Sequence, residues 1–162
     1  DLAIRIGVLE DSSLMARPLA PVKVMLAAAP RYIARHGLPQ RPEDLADHAC
    51  LCYRYAAHGD VWKLRHVRNG SEEQVRVSGP IHANNGDALA EAAIAGAGII
   101  QQPLFIQGRA LEDKRLIRIL PDWEPEPLRV HAVHHQSRLA PAKLRVFIDF
   151  LATEMRARTE SY

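Results

Sequence analysis

The segment from Asn84 to Pro103, NNGDALAEAAIAGAGIIQQP, constrains the fold more than any other part of the chain. After four polar, turn-forming residues, small and apolar side chains such as Leu89 and Ala93 recur at helical spacing on one face. Gly96 ends the predicted helix, because glycine accepts the positive φ that a helix C-terminus often needs. A short strand begins at Ile99. The segment therefore predicts a loop, a helix that lies close against a sheet, and a strand.

Asn84 and Asn85 lie at the start of this predicted helix. Unpaired backbone N–H groups and the positive end of the helix dipole attract anions and polar ligands there. One interpretation is that an asparagine only caps the helix, as Asn does in many helices that bind nothing. The other is that the two residues border a ligand site. The Gly-Ala-Gly sequence at 96–98 is not a dinucleotide fingerprint, because it follows a helix instead of a strand.

Composition excludes several classes of protein. The 162 residues are 48% hydrophobic and 25% charged, which is typical of one globular domain or two small lobes. No apolar run approaches the roughly 20 residues that a membrane-spanning helix needs. The first residues, DLAIRIG, predict a strand and not a signal peptide. With a net charge of +2 and no cluster of Lys and Arg, the chain has no predicted nucleic-acid surface of its own.

Cys50 and Cys52 are the only cysteines. On a strand, residues two apart point the same way, and a disulfide between them would be strained. Reduced thiols in a cytoplasmic protein are the simplest interpretation. A zinc site including His48 would need a second ligand pair at suitable spacing, so neither a metal site nor a cofactor is predicted.

The remaining pattern alternates strands with helices, which predicts an α/β sheet. A hairpin is expected around Asn69-Gly70, and Pro80 marks the run Val75–Ala83 as a sheet edge. The predicted strands are Asp1–Leu9, Val22–Ala28, Ala49–Tyr55, Val61–Leu64, Val75–Ala83, Leu116–Leu120 and Leu128–His134, and the predicted helices start at Pro30, Phe105 and Pro141. The prolines at 18 and 21 predict an extended connection, and those at 121, 125 and 127 a stiff loop around Trp123.

The first strand also suggests a binding function. Arg5 interrupts its apolar run and would need a partner if buried, either a nearby carboxylate or a bound anion. Ser12 and Ser13 follow the strand in a polar loop, and ligands of open α/β sheets gather at that end of the strands.

Several motifs, each weak alone, occur in one order along nearly the whole chain. They are DLAIRIG at Asp1–Gly7, DSSLMARPL at Asp11–Leu19, AAAPRYIARHGLPQRPEDLADHACLCY at Ala27–Tyr53, NNGDALAEAAIAGAGIIQQP at Asn84–Pro103, LIRILPDW at 116–123 and APAKLRVFIDFL at Ala140–Leu151. In this combination the chain resembles the effector-binding region of LysR-type transcriptional regulators.

The resemblance implies an α/β, two-lobed fold like that of type II periplasmic binding proteins. Residues 1–20 would belong to the first lobe, 21–134 to the second, and 135–162 to the return into the first. The first lobe would be incomplete, because the resemblance begins partway through it. A small effector would bind in the cleft between the lobes, and the domains would pair as dimers or tetramers. DNA would be bound only by a winged helix-turn-helix that precedes this region.

The resemblance also assigns positions in the cleft to the candidate ligand-binding residues. Asn84 and Asn85 match positions bordering the cleft from the second lobe, and Ser12 and Ser13 match positions bordering it from the first. Arg5 becomes a possible partner for an anionic or aromatic effector. At the glutamine pair 101–102 the family usually has at least one apolar residue, so one glutamine, assigned here as Gln101, is expected to face away from the core.

The last helix carries an apolar stripe. Its members follow helical spacing and are Leu144, Phe147, Ile148, Leu151 and Met155. By the resemblance this stripe packs on the first lobe. Because that lobe is expected to be incomplete, the stripe is predicted to need either additional residues or a neighbouring copy to cover it.

Two other functions are compatible with parts of the pattern. A periplasmic solute receptor would have the same fold. An enzyme would need a nucleophile with a base, a metal site or a carboxylate pair, and the sequence has no G-x-S-x-G, H-E-x-x-H or P-loop. A helix start with Asn and Ser is a binding arrangement, so the chain is predicted not to be an enzyme.

Overall fold

The computed structural model describes residues 2–7, 14–135 and 142–159. Within these ranges the strands are β1 (Leu2–Ile6), β2 (Leu14–Val22), β3 (Val24–Ala28), β4 (Cys50–Tyr53), β5 (Val61–His66), β6 (Glu72–Arg76), β7 (His82–Ala83), β8 (Ile99–Pro103), β9 (Ile117–Arg118), β10 (Trp123–Pro125) and β11 (Leu128–His135). The helices are α1 (Pro30–His36), α2 (Gly86–Ile94), α3 (Leu104–Glu112) and α4 (Ala142–Thr159), and a 3-10 helix spans Pro42–Asp47. None of these helices is both long and apolar enough to cross a membrane.

The chain divides into two compact units. The first unit comprises residues 1–22 and 127–162, and the second comprises residues 23–126. Strand β11 forms antiparallel pairs with β1 and β2 and lies in the first unit, whereas the sequence pattern assigned residues up to 134 to the second lobe. The chain passes from the first unit into the second between Val22 and Lys23.

The first unit is a three-stranded sheet in the order β1-β11-β2, covered by α4. Its core contains Leu19, Val22, Val130, Ala132, Ile148 and Ala152. The segment around Pro18 and Pro21, predicted as an extended connection, is in fact part of the nine-residue strand β2. Proline has no N–H to donate, but β2 is the edge of this sheet, where one side of the strand needs no partner.

The apolar stripe of α4 is mostly covered within its own unit, contrary to the prediction. Ile148 is 3% exposed, and Leu144, Leu151 and Met155 pack against the same core. Only Phe147 of the stripe is exposed, at 50%. The prediction failed because it required additional residues or a neighbouring copy to cover the stripe, whereas β2 and β11 already provide an apolar face that covers most of it.

The second unit is built on a five-stranded sheet in the order β7-β4-β8-β3-β9. On one face lie α2 and α3, whose core includes Ala27, Leu51, Leu89 and Ile100. The other face is covered by α1 and the three-stranded sheet β10-β5-β6. Side chains alternate between the two cores along each central strand, so β4 and β3 are apolar on both faces, and β8 carries one isoleucine and one glutamine on each face.

Strands β6 and β7 replace the single strand predicted over Val75–Ala83. The hairpin β5–β6 forms around Asn69-Gly70 as predicted, and Asn69 Oδ1 accepts a hydrogen bond from the N–H of Ser71. The chain then crosses to the edge of the five-stranded sheet, so β6 and β7 are edges of two different sheets. The crossing depends on Gly79, because a Cβ there would lie 2.0 Å from the backbone oxygen of Cys50.

The loop predicted around Trp123 contains a strand. β10 pairs with β5, with Trp123 opposite His66 and Pro125 opposite Leu64. The rings of Trp123 and His66 meet edge to face, with centroids 5.0 Å apart. The prolines suggested a loop, but an edge strand such as β10 accepts proline.

Candidate ligand site at the start of helix α2

Asn85 is the cap of α2. Its Oδ1 accepts a hydrogen bond of 3.0 Å from the N–H of Ala88, and its backbone is extended. The N–H of Leu89 donates to the backbone oxygen of Asn85 and begins the regular helical bonding. The capping interpretation of the sequence is therefore correct for Asn85.

Asn84 precedes the cap and has an exposed side chain. Within the described residues, the N–H groups of Gly86 and Asp87 have no acceptor, as is usual for the first turn of a helix. These two donors and the positive end of the helix dipole lie at the start of α2, directly after the exposed Asn84. Asp87 adds an acidic side chain to the same first turn. The arrangement can bind oxygen acceptors, and the carboxylate opposes a high negative charge on the ligand.

Gln102 lies directly beneath this helix start. A Cβ on Gly86 would be 2.8 Å from Oε1 of Gln102 and 2.5 Å from Cδ1 of Ile106. Gln102 is only 3% exposed, so its amide forms a polar floor under the first turn of α2. Glycine at 86 is what allows α2 to come this close to β8 and α3.

Gln107 of α3 binds the backbone of β8, the strand that carries Gln102. Its Nε2 donates to the backbone oxygen of Gln102 at 2.6 Å and to that of Met25 at 3.0 Å, which links α3 to the paired strands β8 and β3. Its side chain is fully buried, and its Oε1 has no hydrogen-bond partner among the described residues. Sequence reasoning missed Gln107. The signal was a polar residue between Leu104 and Leu111 on the inward face of a predicted helix.

Gln101 points to the opposite face of β8. Side chains alternate along a strand, so Gln101 shares the face of Ile99, whereas Gln102 shares that of Ile100 and α2. Gln101 is half-buried, and its Oε1 is buried without a partner among the described residues. The structure thus places Gln102 beneath Gly86, the residue that follows Asn84 and Asn85, and it places Gln101 on the other side of the sheet.

The remaining predicted site residues belong to the first unit. Arg5 is exposed on β1, opposite His131 of β11, so burial does not force a partner upon it. Ser12 and Ser13 lie outside the described residues. Their contribution to ligand binding stays a prediction.

The two cysteines are buried and unbridged. Burial raises the pKa of Cys50 to about 12, with a smaller contribution from Cys52. Burial also raises the pKa of Cys52 to about 12, and the nearby carboxylate of Asp60 adds to it, while the thiol donates a hydrogen bond of 3.6 Å to the backbone oxygen of Cys50. Both groups are therefore thiols at neutral pH, which makes them poor nucleophiles.

Comparisons with known proteins agree with this architecture. The family model described as the LysR substrate binding domain matches residues 1–156. An HTH-type transcriptional regulator of Haemophilus influenzae is 38% identical over 144 residues, which cover 89% of this chain and 49% of that protein. The chain spans about half the length of the curated relatives it matches.

Solved structures show the same fold. The full-length Vibrio cholerae virulence activator AphB, a member of the LTTR protein family, superposes with a TM-score of 0.78 at 30% identity, covering 96% of this chain and 52% of that chain. The regulatory domain of CrgA, a LysR-type regulator of Neisseria meningitidis, superposes with a TM-score of 0.75 at 31% identity, covering 96% and 75%.

The fold is therefore the α/β fold of LysR-type regulatory domains, which is of the type II periplasmic-binding-protein kind. The chain belongs to the LysR substrate-binding domain family, as its motifs predicted.

Proposed function

We propose that the chain is the effector-sensing part of a LysR-type transcriptional regulator. The observation that carries this proposal is the family match over residues 1–156, to relatives that are themselves named HTH-type transcriptional regulators. In the whole protein, DNA would be bound by a separate winged helix-turn-helix, and this region would sense a small molecule. Such a regulator would act in the cytoplasm and would not be an enzyme.

The start of α2 is the proposed contact with the effector. Two N–H donors and an exposed Asn84 amide are suited to a carboxylate, phenolate or carbonyl oxygen, and the helix dipole favours negative charge there. Asp87 opposes a second negative charge. A small aromatic or aliphatic acid with one negative charge fits these constraints. Ser12, Ser13 and Arg5 stay predicted contributors, and so does Gln101.

The test uses the whole regulator with and without Asn84→Ala. The proposal expects the variant to need at least tenfold more effector for the same transcriptional response while its affinity for operator DNA is unchanged. Asn84 is exposed, so the variant keeps its fold. An unchanged effector response would contradict the assigned contact. Absence of any DNA-binding region before residue 1 of the gene product would contradict the regulator itself.

Oligomerisation belongs to the same proposal. β6 and β7 are edge strands of the second unit, and an uncovered edge offers unpaired backbone groups to another chain. We expect a dimer or tetramer in which one of these edge strands lies at the contact between subunits. Sedimentation showing a monomer at high concentration would count against this assignment.

The periplasmic-receptor alternative is not favoured. The fold suits both functions, but the relatives that match at 30% identity or more are named as transcriptional regulators. A signal peptide immediately upstream of this region would reverse the preference.

A further inference from the structure

Cys52, Asp60 and His82 form a cluster that the regulator function does not use. One ligand atom from each, the Cys52 sulfur, a carboxylate oxygen and a ring nitrogen, lies within 4.8 Å of the other two. Sequence analysis missed the cluster because its members come from three separate segments: β4, the residue before β5, and β7.

The fold places these side chains side by side. β4 and β7 are parallel neighbours, and Cys52 is the register partner of His82, so the two side chains leave the sheet on the same face. Asp60 is held nearby because its backbone oxygen accepts a hydrogen bond of 2.8 Å from the N–H of Val77. Its carboxylate lies 3.2 Å from Nε2 of His82.

The arrangement has a closed side and an open side. Cys52 is 1% exposed, whereas the side chains of Asp60 and His82 are 47% and 46% exposed. A metal ion could therefore approach from the solvent and reach a sulfur that the sheet shields from behind. The three protein ligands leave one tetrahedral position for water or another ligand.

The nitrogen–oxygen separation suits a tetrahedral metal, and the sulfur lies within 4.8 Å of the other two ligand atoms. Zinc bonds of about 2.0–2.1 Å to nitrogen and oxygen imply a nitrogen–oxygen separation of roughly 3.3 Å in a tetrahedron, close to the observed 3.2 Å. Zn–S bonds of about 2.3 Å bring the sulfur within roughly 3.6 Å of the other ligands. The exposed Asp60 and His82 side chains can supply the remaining movement.

We propose that Cys52, Asp60 and His82 bind one thiophilic divalent metal ion, with Zn²⁺ as the best match. A thiolate, a carboxylate and a neutral imidazole offset the charge of the ion and combine soft and borderline ligands. When the ion binds, the S–H bond of Cys52 is replaced by a sulfur–metal bond, and the proton passes to water. The alternative is an exposed Asp60–His82 pair that binds no metal, beside a Cys52 thiol that donates to the backbone oxygen of Cys50.

The test is a titration of the reduced 162-residue chain with Co²⁺, which substitutes for Zn²⁺ and reports on sulfur ligation. The proposal expects a thiolate-to-cobalt charge-transfer absorption that saturates at one ion per chain and disappears when Zn²⁺ is added. Cys52→Ala should abolish the band, and Asp60→Asn and His82→Gln should each weaken binding at least tenfold.

Matched controls come from the same unit. Cys50→Ala removes a second buried thiol of the same strand, and His58→Gln removes another exposed histidine that pairs with a carboxylate, Glu126, at 3.1 Å. Neither should change the titration. Absence of a charge-transfer band, a band that survives Cys52→Ala, or unchanged binding in both Asp60→Asn and His82→Gln would overturn the proposal. The last two variants alter exposed side chains, so the result does not depend on how well Cys52→Ala folds.

Discussion

The hydroxyl oxygen of Tyr32 lies 3.1 Å from Nδ1 of His48. The same hydroxyl accepts a hydrogen bond of 2.9 Å from the N–H of Ala49, just before β4. Burial raises the pKa of Tyr32, so the hydroxyl keeps its proton and can donate a hydrogen bond to an unprotonated Nδ1 of His48. Burial lowers the pKa of His48, which favours the neutral ring, and in the tautomer with a bare Nδ1 that nitrogen is the acceptor. This chain of bonds ties α1 to the start of β4 and makes the tie sensitive to protonation.

The first prediction concerns pH. Burial lowers the pKa of His48, and the nearby His36 lowers it further. The carboxylates of Asp44 and Asp47 raise the pKa, but by less. The unfolded chain therefore binds this proton more readily than the folded one. Stability should be unaffected above the ordinary histidine pKa and should fall as pH drops from about 7 to about 5. Urea unfolding across this range should show a smaller loss for His48→Gln than for the wild type.

The control for that measurement is His135→Gln, because His135 is exposed at the end of β11. It should keep the wild-type dependence on pH. Equal slopes for the wild type and His48→Gln would show that His48 does not act as this sensor.

The second prediction concerns the crossing between the two sheets of the second unit. Gly79→Ala should destabilise the chain by more than about 2 kcal/mol, because the new Cβ would meet the backbone oxygen of Cys50, which cannot move without disturbing β4. Gly108→Ala in α3 is the matched control. Its Cβ would meet only Leu104 at 3.7 Å, and alanine should stabilise the helix by about 0.5–1 kcal/mol. Similar unfolding free energies for the two variants would refute the close approach at Gly79.

The third prediction separates capping from ligand binding. Asn85→Ala should cost about 1 kcal/mol, because the N–H of Ala88 loses its acceptor. Asn84→Ala should leave the unfolding free energy within about 0.5 kcal/mol of the wild type, as expected for an exposed side chain. Denaturant melts of both variants check this. A larger loss from Asn84→Ala than from Asn85→Ala would reverse the assignment.

The fourth prediction tests how α4 is seated. Ile148 is 3% exposed between α4 and its sheet, so Ile148→Ala should cost about 2–4 kcal/mol. Phe147, the neighbouring residue, is half exposed, and Phe147→Ala should cost less than about 1.5 kcal/mol. Thermal melts of the two variants make the comparison. Equal losses would indicate that another surface covers Phe147.

Features set by neighbouring residues could be predicted from the sequence. Pro30 and Gly37 bound α1, Asn69-Gly70 turns the β5–β6 hairpin, and Asn85 caps α2, each through local backbone chemistry. The alternation that buries both cysteines on one face of β4 was predictable for the same reason.

Features that depend on contacts between residues far apart in the sequence could not be predicted from it. Gly79 must be glycine because its α-carbon lies against the backbone of Cys50. Gln107 is buried because its side chain donates to the backbone of two strands. The cluster around Cys52 forms because the strand register places Cys52 opposite His82. Nothing local distinguishes the proline-containing strand β2 from a loop, because only its pairing with β11 makes it a strand. In the candidate site, the sequence indicated the asparagines but gave no reason to choose Gln102 over Gln101 as the residue beneath α2.

The most direct test of the central claim is an amide-resolved NMR titration of the isotope-labelled chain with singly charged aromatic and aliphatic acids. The account predicts that at least one of these compounds binds saturably and shifts the amide resonances of Gly86 and Asp87 most, and that Asn84→Ala weakens this binding tenfold or more. Saturable binding that leaves Gly86 and Asp87 unmoved, or no saturable shift from either class of acid, would contradict it.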